Sequence, residues 1–178
     1  MLYRLRGSLI HTEPSFAVIE CAGVGYKCYT TMNTQRSLPA IGKEAILYTH
    51  MNVREDAVDL FGFSSLAELN CFKLLTSVSG VGPKVGLAIL SVLSPEQVAM
   101  AAASGDSKSL TRASGVGAKL AQRIVIGLAD RFDMRAVMAD KFHRDEIRKA
   151  CQLFLSVGDE RTELAQAVER TADQQAAG

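Results

Sequence analysis

The chain is short of the residues that would hold a fold together covalently or through metal. It has four cysteines, Cys21, Cys28, Cys71 and Cys151, and no two form a Cys-x-x-Cys pair. That scatter argues against a zinc site and against a disulfide framework, and it fits a reduced, cytoplasmic compartment. Long apolar runs are missing too. The opening MLYRLRGSLI lacks the apolar stretch of a secretory leader, and no segment approaches a membrane span. Neither charge dominates: 20 Lys and Arg against 19 Asp and Glu leave a net charge of +1. No overall field therefore points to nucleic acid or to a lipid surface. The phosphate-loop pattern Gly-x-x-x-x-Gly-Lys-Ser/Thr occurs nowhere, which removes that class of nucleotide-hydrolysing site. Neither a cofactor nor a metal is expected. Apolar residues still make up 48% of the chain, enough for a packed core.

One segment is written twice. LTSVSGVGPKVGLAILSVL runs from Leu75 to Leu93, and LTRASGVGAKLAQRIVIGL from Leu110 to Leu128. The offset is constant, so Ser79-Gly80-Val81-Gly82 matches Ser114-Gly115-Val116-Gly117, and Lys84 matches Lys119. A doubled unit of this size is one supersecondary element used twice. Helical spacing flanks each Gly-Val-Gly: Leu66, Leu69, Phe72 and Leu75 before the first, Lys84–Leu93 after it. Ser94-Pro95-Glu96-Gln97 reads as an N-cap, a proline at the first helical position and a capping box. Ser107–Ala113 reads as a shorter helix before the second Gly-Val-Gly, and Lys119–Phe132 as a longer one after it.

The glycines have a physical task in a helix–turn–helix of this kind. The first allows a tight turn at positive φ, and the second lets the next helix start with bare backbone. Val81 or Val116 can plug the gap between the helices. Unpaired N–H groups and the positive end of the dipole make the helix start an anion site, with Lys84 or Lys119 beside it. A phosphate held there is recognised without a base being read. A dinucleotide fingerprint would need a third glycine, where this chain has Val85 and Leu120. Ordinary turn glycines would account for a single copy; two copies in register favour a shared ligand. Charge agrees: residues 65–132 hold seven Lys/Arg and four Asp/Glu, against six and six in 1–64, and seven and nine in 133–178.

Residues 1–64 read as a small β-domain. Short apolar runs at Leu2–Ile10, Phe16–Cys21, Gly25–Thr31, Ala45–Val53 and Val58–Phe63 alternate with turn residues, which suggests a small barrel or sandwich. Asn33–Leu38 fits one helical turn between strands. His11 and His50 fall in strand-like runs, where a lone histidine is ordinarily structural or solvated. Between the last two strands stands Arg54-Glu55-Asp56-Ala57. Adjacent carboxylates at a hairpin tip are ordinarily a solvated turn; the sharper reading is a fixed negative post that repels phosphates. They make a poor acid/base pair, since neighbours in such a turn point apart.

Gly-Val-Gly-x-Lys between two helices resembles the helix-hairpin-helix DNA-binding motif. Two copies after a β-domain resemble the RuvA family of junction-binding subunits, as do Arg4-Leu5-Arg6-Gly7, Gly23-Val24-Gly25-Tyr26, Arg54-Glu55-Asp56-Ala57 and Leu60-Phe61-Gly62-Phe63. The resemblance covers residues 1–132. It implies an α+β protein with an OB-like β-barrel over 1–64 and a tandem helix-hairpin-helix domain over 65–132. It also implies a linker over 133–143 and a short helical, motor-binding tail over 144–178. The implied function is sequence-independent binding of four-way (Holliday) junction DNA as a homotetramer, or as an octamer on DNA, with no catalytic site of its own. The implied partners are the RuvB motor ATPase and a RuvC-type resolvase, with no membrane. Duplex arms would rest on Gly80, Val81, Gly82, Lys84, Gly115, Val116, Gly117 and Lys119. Arg123, one helical turn after Lys119, falls on the same side and would add a phosphate contact. Glu55 and Asp56 would form an acidic pin where strands separate.

The match weakens in the tail. Arg144–Val157 and Thr162–Thr171 read as amphipathic helices, but Asp159 stands where the family has an apolar or aromatic residue, and no apolar third helix follows. A second class of function is a repair enzyme, such as a glycosylase, that uses the hairpins as an anchor. It would need a catalytic Asp or Lys facing a pocket for a flipped base; Asp106 and Asp130 are the only aspartates in 65–132, and nothing in the sequence around either suggests an aromatic-lined pocket.

Overall fold

The computed structural model describes residues 2–132. The linker 133–143, the helices read at Arg144–Val157 and Thr162–Thr171, and Cys151 lie outside the described residues. Five strands come first: β1 (Arg4–Glu13), β2 (Phe16–Cys21), β3 (Val24–Tyr29), β4 (Glu44–Val53) and β5 (Val58–Phe63). They close into a barrel in the order β1-β2-β3-β5-β4, antiparallel except where Tyr29 of β3 meets Phe61 of β5. Closure leaves no free sheet edge. Alternate residues point inward: Leu5 and Leu9 from β1, Ala17 and Ile19 from β2, Ala45 and Leu47 from β4 are all buried. This is the OB-like barrel of the sequence reading, with shifted strand ends: β1 starts at Arg4 rather than Leu2, β3 runs from Val24 to Tyr29 rather than Gly25 to Thr31, and β4 starts at Glu44 rather than Ala45. β1 runs on to Glu13 because its pairing with β2 shifts register between Leu9 and His11, a bulge that lets the strand bend and continue.

A six-residue helix, α1 (Met32–Ser37), links β3 to β4, one residue earlier at each end than Asn33–Leu38. The rest is helical: α2 (Leu66–Thr76), α3 (Pro83–Val92), α4 (Pro95–Ser104), α5 (Ser107–Leu110) and α6 (Ala118–Phe132). The capping box at α4 forms as its sequence requires. The Gln97 N–H donates to Ser94 Oγ at 3.3 Å, and the Ser94 N–H donates to Gln97 Oε1 at 2.9 Å. α5 stops at Leu110 instead of reaching Ala113. The amides of Thr111, Arg112 and Ala113 bond three residues back, to Lys108, Ser109 and Leu110, so the chain has already tightened into the turn.

Barrel and helices share a core at the end of β5. The Phe72 ring of α2 lies 5.2 Å from Phe61 and 4.9 Å from Phe63, centroid to centroid. From there Leu69, Leu75, Ile89, Leu90, Leu110, Ile124 and Leu128 continue the same buried cluster through to α6. Each such side chain, fully buried, contributes about 1.5–3 kcal/mol of transfer free energy. No single described helix is long and apolar enough to cross a membrane.

Candidate nucleic-acid interface

Hairpin 1 is α2 and α3 with their connecting turn; hairpin 2 is α5 and α6 with theirs. The two turns are held by the same bonds, displaced by the repeat. The Val78 N–H donates to Leu75 O and the Ala113 N–H to Leu110 O, both at 3.1 Å. The Val81 N–H donates to Val78 O at 3.0 Å and the Val116 N–H to Ala113 O at 3.2 Å. The first helical bonds, Gly86 N–H to Gly82 O and Ala121 N–H to Gly117 O, are 3.0 and 2.9 Å. Gly80 and Gly115 have φ of 90° and 82°, a region that side-chain-bearing residues avoid, so each turn requires its first glycine.

The second glycine faces solvent in both copies, and a Cβ on Gly82 or Gly117 would meet nothing within 4 Å. Gly82 is the N-cap of α3 and supplies no side-chain cap bond. The first amides of α3 and α6 thus point outward with no partner inside the helix, at the positive end of its dipole. Pro83 removes one of these donors from hairpin 1, whereas Ala118 keeps it in hairpin 2. Val81 and Val116 are each only 5% exposed and belong to the core, which makes them the expected plugs. A ligand at these two positions meets main chain only.

Lys84 and Lys119 are exposed, just inside their helices. Lys119 and Arg123 share an open groove between the hairpins with Ser77, Ser79 and Gln122. The Arg123 guanidinium donates to Ser79 O at 3.3 Å, so a cation of hairpin 2 rests on the turn of hairpin 1. The sequence spacing places Arg123 beside Lys119 but carries no sign of this cross-bond.

Glu55 and Asp56 occupy the tip of the β4–β5 hairpin, both exposed. The Arg54 N–H closes the turn onto Ala57 O at 2.8 Å, next to the last paired residues, Val53 and Val58. The Arg54 side chain pairs with Asp59 at 2.9 Å rather than with the tip. Among the described residues neither tip carboxylate is in an ion pair.

Other candidate residues have structural partners. Asp106 caps α5, and the Ser109 hydroxyl holds its carboxyl below the usual range. The side chain of Asp130 is outside the described residues. His50 packs edge-on against Phe72 at 5.7 Å, and burial, then nearby Lys73, lowers its pKa. His11 lies 3.3 Å from Glu13 on the surface. Burial pushes the Cys28 thiol up to about 12, so it is not a nucleophile near neutral pH. Among the described residues no three His, Cys, Asp or Glu side chains group as metal ligands.

Known proteins share this arrangement. The RuvA N terminal domain model matches residues 1–62, and the SAM-like helix-hairpin-helix tandem model matches residues 72–130. The Holliday junction branch migration complex subunit RuvA of Rubrobacter xylanophilus is 46% identical over 131 residues, 74% of this chain and 67% of that protein. The chain belongs to the RuvA family. The RuvA subunit of Acidobacterium capsulatum is 47% identical over 133 residues, 75% of this chain and 67% of that protein. That of Acetivibrio thermocellus is 44% identical over 131 residues, 74% and 65%. The shared segment thus spans about two thirds of the length of these RuvA proteins, and both matched models fall within the barrel and the paired hairpins.

Proposed function

We propose that this chain is a non-catalytic, cytoplasmic subunit that binds four-way DNA junctions by shape, independently of base sequence. The observation that carries this is the duplicated turn. Two helix starts have equivalent bonds, open second glycines and a neighbouring lysine, on a chain that also carries an acidic hairpin tip. The names of the relatives, which place them in a Holliday junction branch migration complex, support the reading.

In this mechanism the main chain of Gly80, Val81 and Gly82, and of Gly115, Val116 and Gly117, donates to phosphate oxygens of a duplex arm. Lys84, Lys119 and Arg123 neutralise the same phosphates and release counterions, so affinity falls steeply with salt. Four copies around a four-fold axis match one hairpin pair to each arm. Eight carboxylates from Glu55 and Asp56 then ring the crossover, where they disfavour phosphates and constrain strand paths. The chain divides functionally into 1–64, 65–132, the linker 133–143 and a motor-binding tail, 144–178, which recruits the RuvB ATPase; a RuvC-type resolvase then acts on the held junction.

A gel shift of the full chain against a four-way junction and a linear duplex of equal length tests the core of this. Tighter junction binding is expected, and equal binding overturns it. The pair Glu55→Gln and Asp56→Asn is expected to leave junction affinity in place and alter migration; collapse of binding removes the repulsive role. The motor is expected to be captured by the full chain and not by a chain ending at Phe132, and equal capture by both overturns the role of the tail.

A further inference from the structure

Glu68 is a buried acid that the hairpin mechanism does not use. It is 4% exposed, at the third position of α2, with Ser65 as N-cap. In a Ser-x-x-Glu cap the glutamate ordinarily reaches back to the N-cap amide. Here only the other half of the box is made, from the Glu68 N–H to Ser65 Oγ at 3.2 Å. The carboxylate turns instead toward the barrel. It accepts from the hydroxyls of Thr31, of Thr34 at 2.6 Å and of Ser64 at 3.3 Å.

The direction of these bonds is fixed. Thr31 Oγ1 already accepts from the Thr34 N–H, and Thr34 Oγ1 from the Ser64 N–H, each at 3.0 Å. Both threonines are completely buried, so each hydroxyl proton is left to the carboxylate. The site needs acceptors on both oxygens, which a carboxylate supplies and a carboxamide does not. The opposite side of α1 is fastened to hairpin 1 as well. The Asn33 side-chain amide donates to Leu90 O at 2.6 Å, and the Met32 N–H donates to Ser91 Oγ at 3.0 Å. One short helix therefore clamps both helices of hairpin 1 to the barrel.

We infer that Glu68, with Thr31 and Thr34, is a positioning residue that sets the angle between hairpin 1 and the β4–β5 hairpin bearing Glu55 and Asp56. Ser64 follows directly on β5, whose other end carries that acidic tip. The six residues of β5 span about 20 Å, so a tilt of about 10° at Ser64 moves the tip by about 3.5 Å. Such a shift separates the tip from the hairpins without touching either, so it lowers preference for a junction more than affinity for a duplex arm. This consequence rests on the junction-binding reading; the positioning itself does not.

Two readouts on the full chain separate them. The first is the distance between labels placed at positions 56 and 84 by non-cysteine chemistry, in labelled protein diluted with unlabelled protein and without DNA. The second is the ratio of junction to duplex affinity. Glu68→Gln and Thr34→Val are expected to shift or broaden the distance and to lower the ratio about tenfold. Thr34→Ser, which keeps the hydroxyl, and Val125→Ala, which loosens the hairpin 2 core, stay within about twofold of wild type. If Glu68→Gln does not fold, Thr34→Val against Thr34→Ser decides. An unchanged distance in Thr34→Val, or an equal fall of the ratio in Val125→Ala, overturns the inference. A wild-type chain without junction preference defeats the functional reading, while the distance still decides the role of Glu68.

Discussion

The helix before the turn has eleven residues in hairpin 1 and buries Leu69, Cys71, Phe72 and Leu75; in hairpin 2 it has four and buries only Leu110. The helix after the turn reverses the inequality, with ten residues in α3 and fifteen in α6. Between these unequal flanks the turn bonds agree to within about 0.2 Å. The flanks answer to packing, which differs: hairpin 1 lies against the barrel through Phe72, and hairpin 2 lies against hairpin 1 through Arg123 and Gly127. In both turns the second glycine, Gly82 or Gly117, stays open while Val81 or Val116 is buried, although only the turn of hairpin 1 carries the Arg123 bond. Their likeness is what the proposed phosphate ligand, shared by both turns, would require.

The widest contrast between the copies is at Phe72 and its repeat equivalent, Ser107. Phe72 is fully buried among Phe61, Phe63 and His50. Phe72→Ala is expected to lower stability by about 3–5 kcal/mol, and Ser107→Ala by no more than about 0.5 kcal/mol. Urea unfolding followed by circular dichroism measures both, and similar losses would mean that the two hairpins carry the core alike. The next contrast is Gly86 against Ala121. A Cβ on Gly86 would sit 3.1 Å from two ring carbons of Phe72 and 3.2 Å from Thr76 Cγ2. The Phe72 ring is packed on its other sides and has no room to retreat. Gly86→Ala is expected to destabilise by about 1–3 kcal/mol, despite raising helix propensity. A stabilised variant would show that the hairpin 1 core is loose.

These contrasts also show what the sequence makes legible. Strand alternation, the Ser94–Gln97 capping box and the doubled Gly-Val-Gly are local patterns, and local patterns survive into the fold. The turn glycines are legible because a turn at positive φ needs glycine, and the lysines because they follow at the same offset in both copies. The long-range bonds of Glu68 and Arg123 are not. Ser65-x-x-Glu68 advertises a local cap, yet the carboxylate finds threonines 34 and 37 residues away, and the Arg123–Ser79 bond spans 44 residues. Each is chosen by tertiary proximity, which no spacing encodes. The end of α5 is missed for a related reason, since the expected helix runs on through Thr111 to Ala113, which are instead drawn into the turn.

Lysine removal probes the shared part rather than the contrast. Lys84→Ala and Lys119→Ala are each expected to reduce the salt slope of DNA binding by about one unit, uniformly across sequences, which near 0.15 M salt amounts to about 1 kcal/mol. Titrations at several salt concentrations read both quantities. Hairpin 2 retains Arg123 in the same groove, so Lys119→Ala with Arg123→Ala should lose about two units. A change in base preference at an unchanged slope would exclude the phosphate cradle.

The smallest expected difference is in pH. His50 of the barrel packs edge-on against Phe72 of hairpin 1, and burial, with Lys73 nearby, holds its pKa below the ordinary 6.5. The unfolded chain therefore takes up this proton first, and acidification favours unfolding. The contribution of His50 is complete above pH 6.5 and declines as pH falls through that value toward the lower folded-state pKa. His50→Phe keeps a ring against Phe72 and removes the titration. Between about pH 7.5 and pH 5.5 the melting temperature of the wild-type chain should fall about 1–3 °C further than that of His50→Phe. Parallel curves would place the proton uptake elsewhere and leave the joint between hairpin 1 and the barrel indifferent to pH. A steeper fall in the wild type would mark that joint as the part of the molecule where the two hairpins differ in response to solvent as well as in packing.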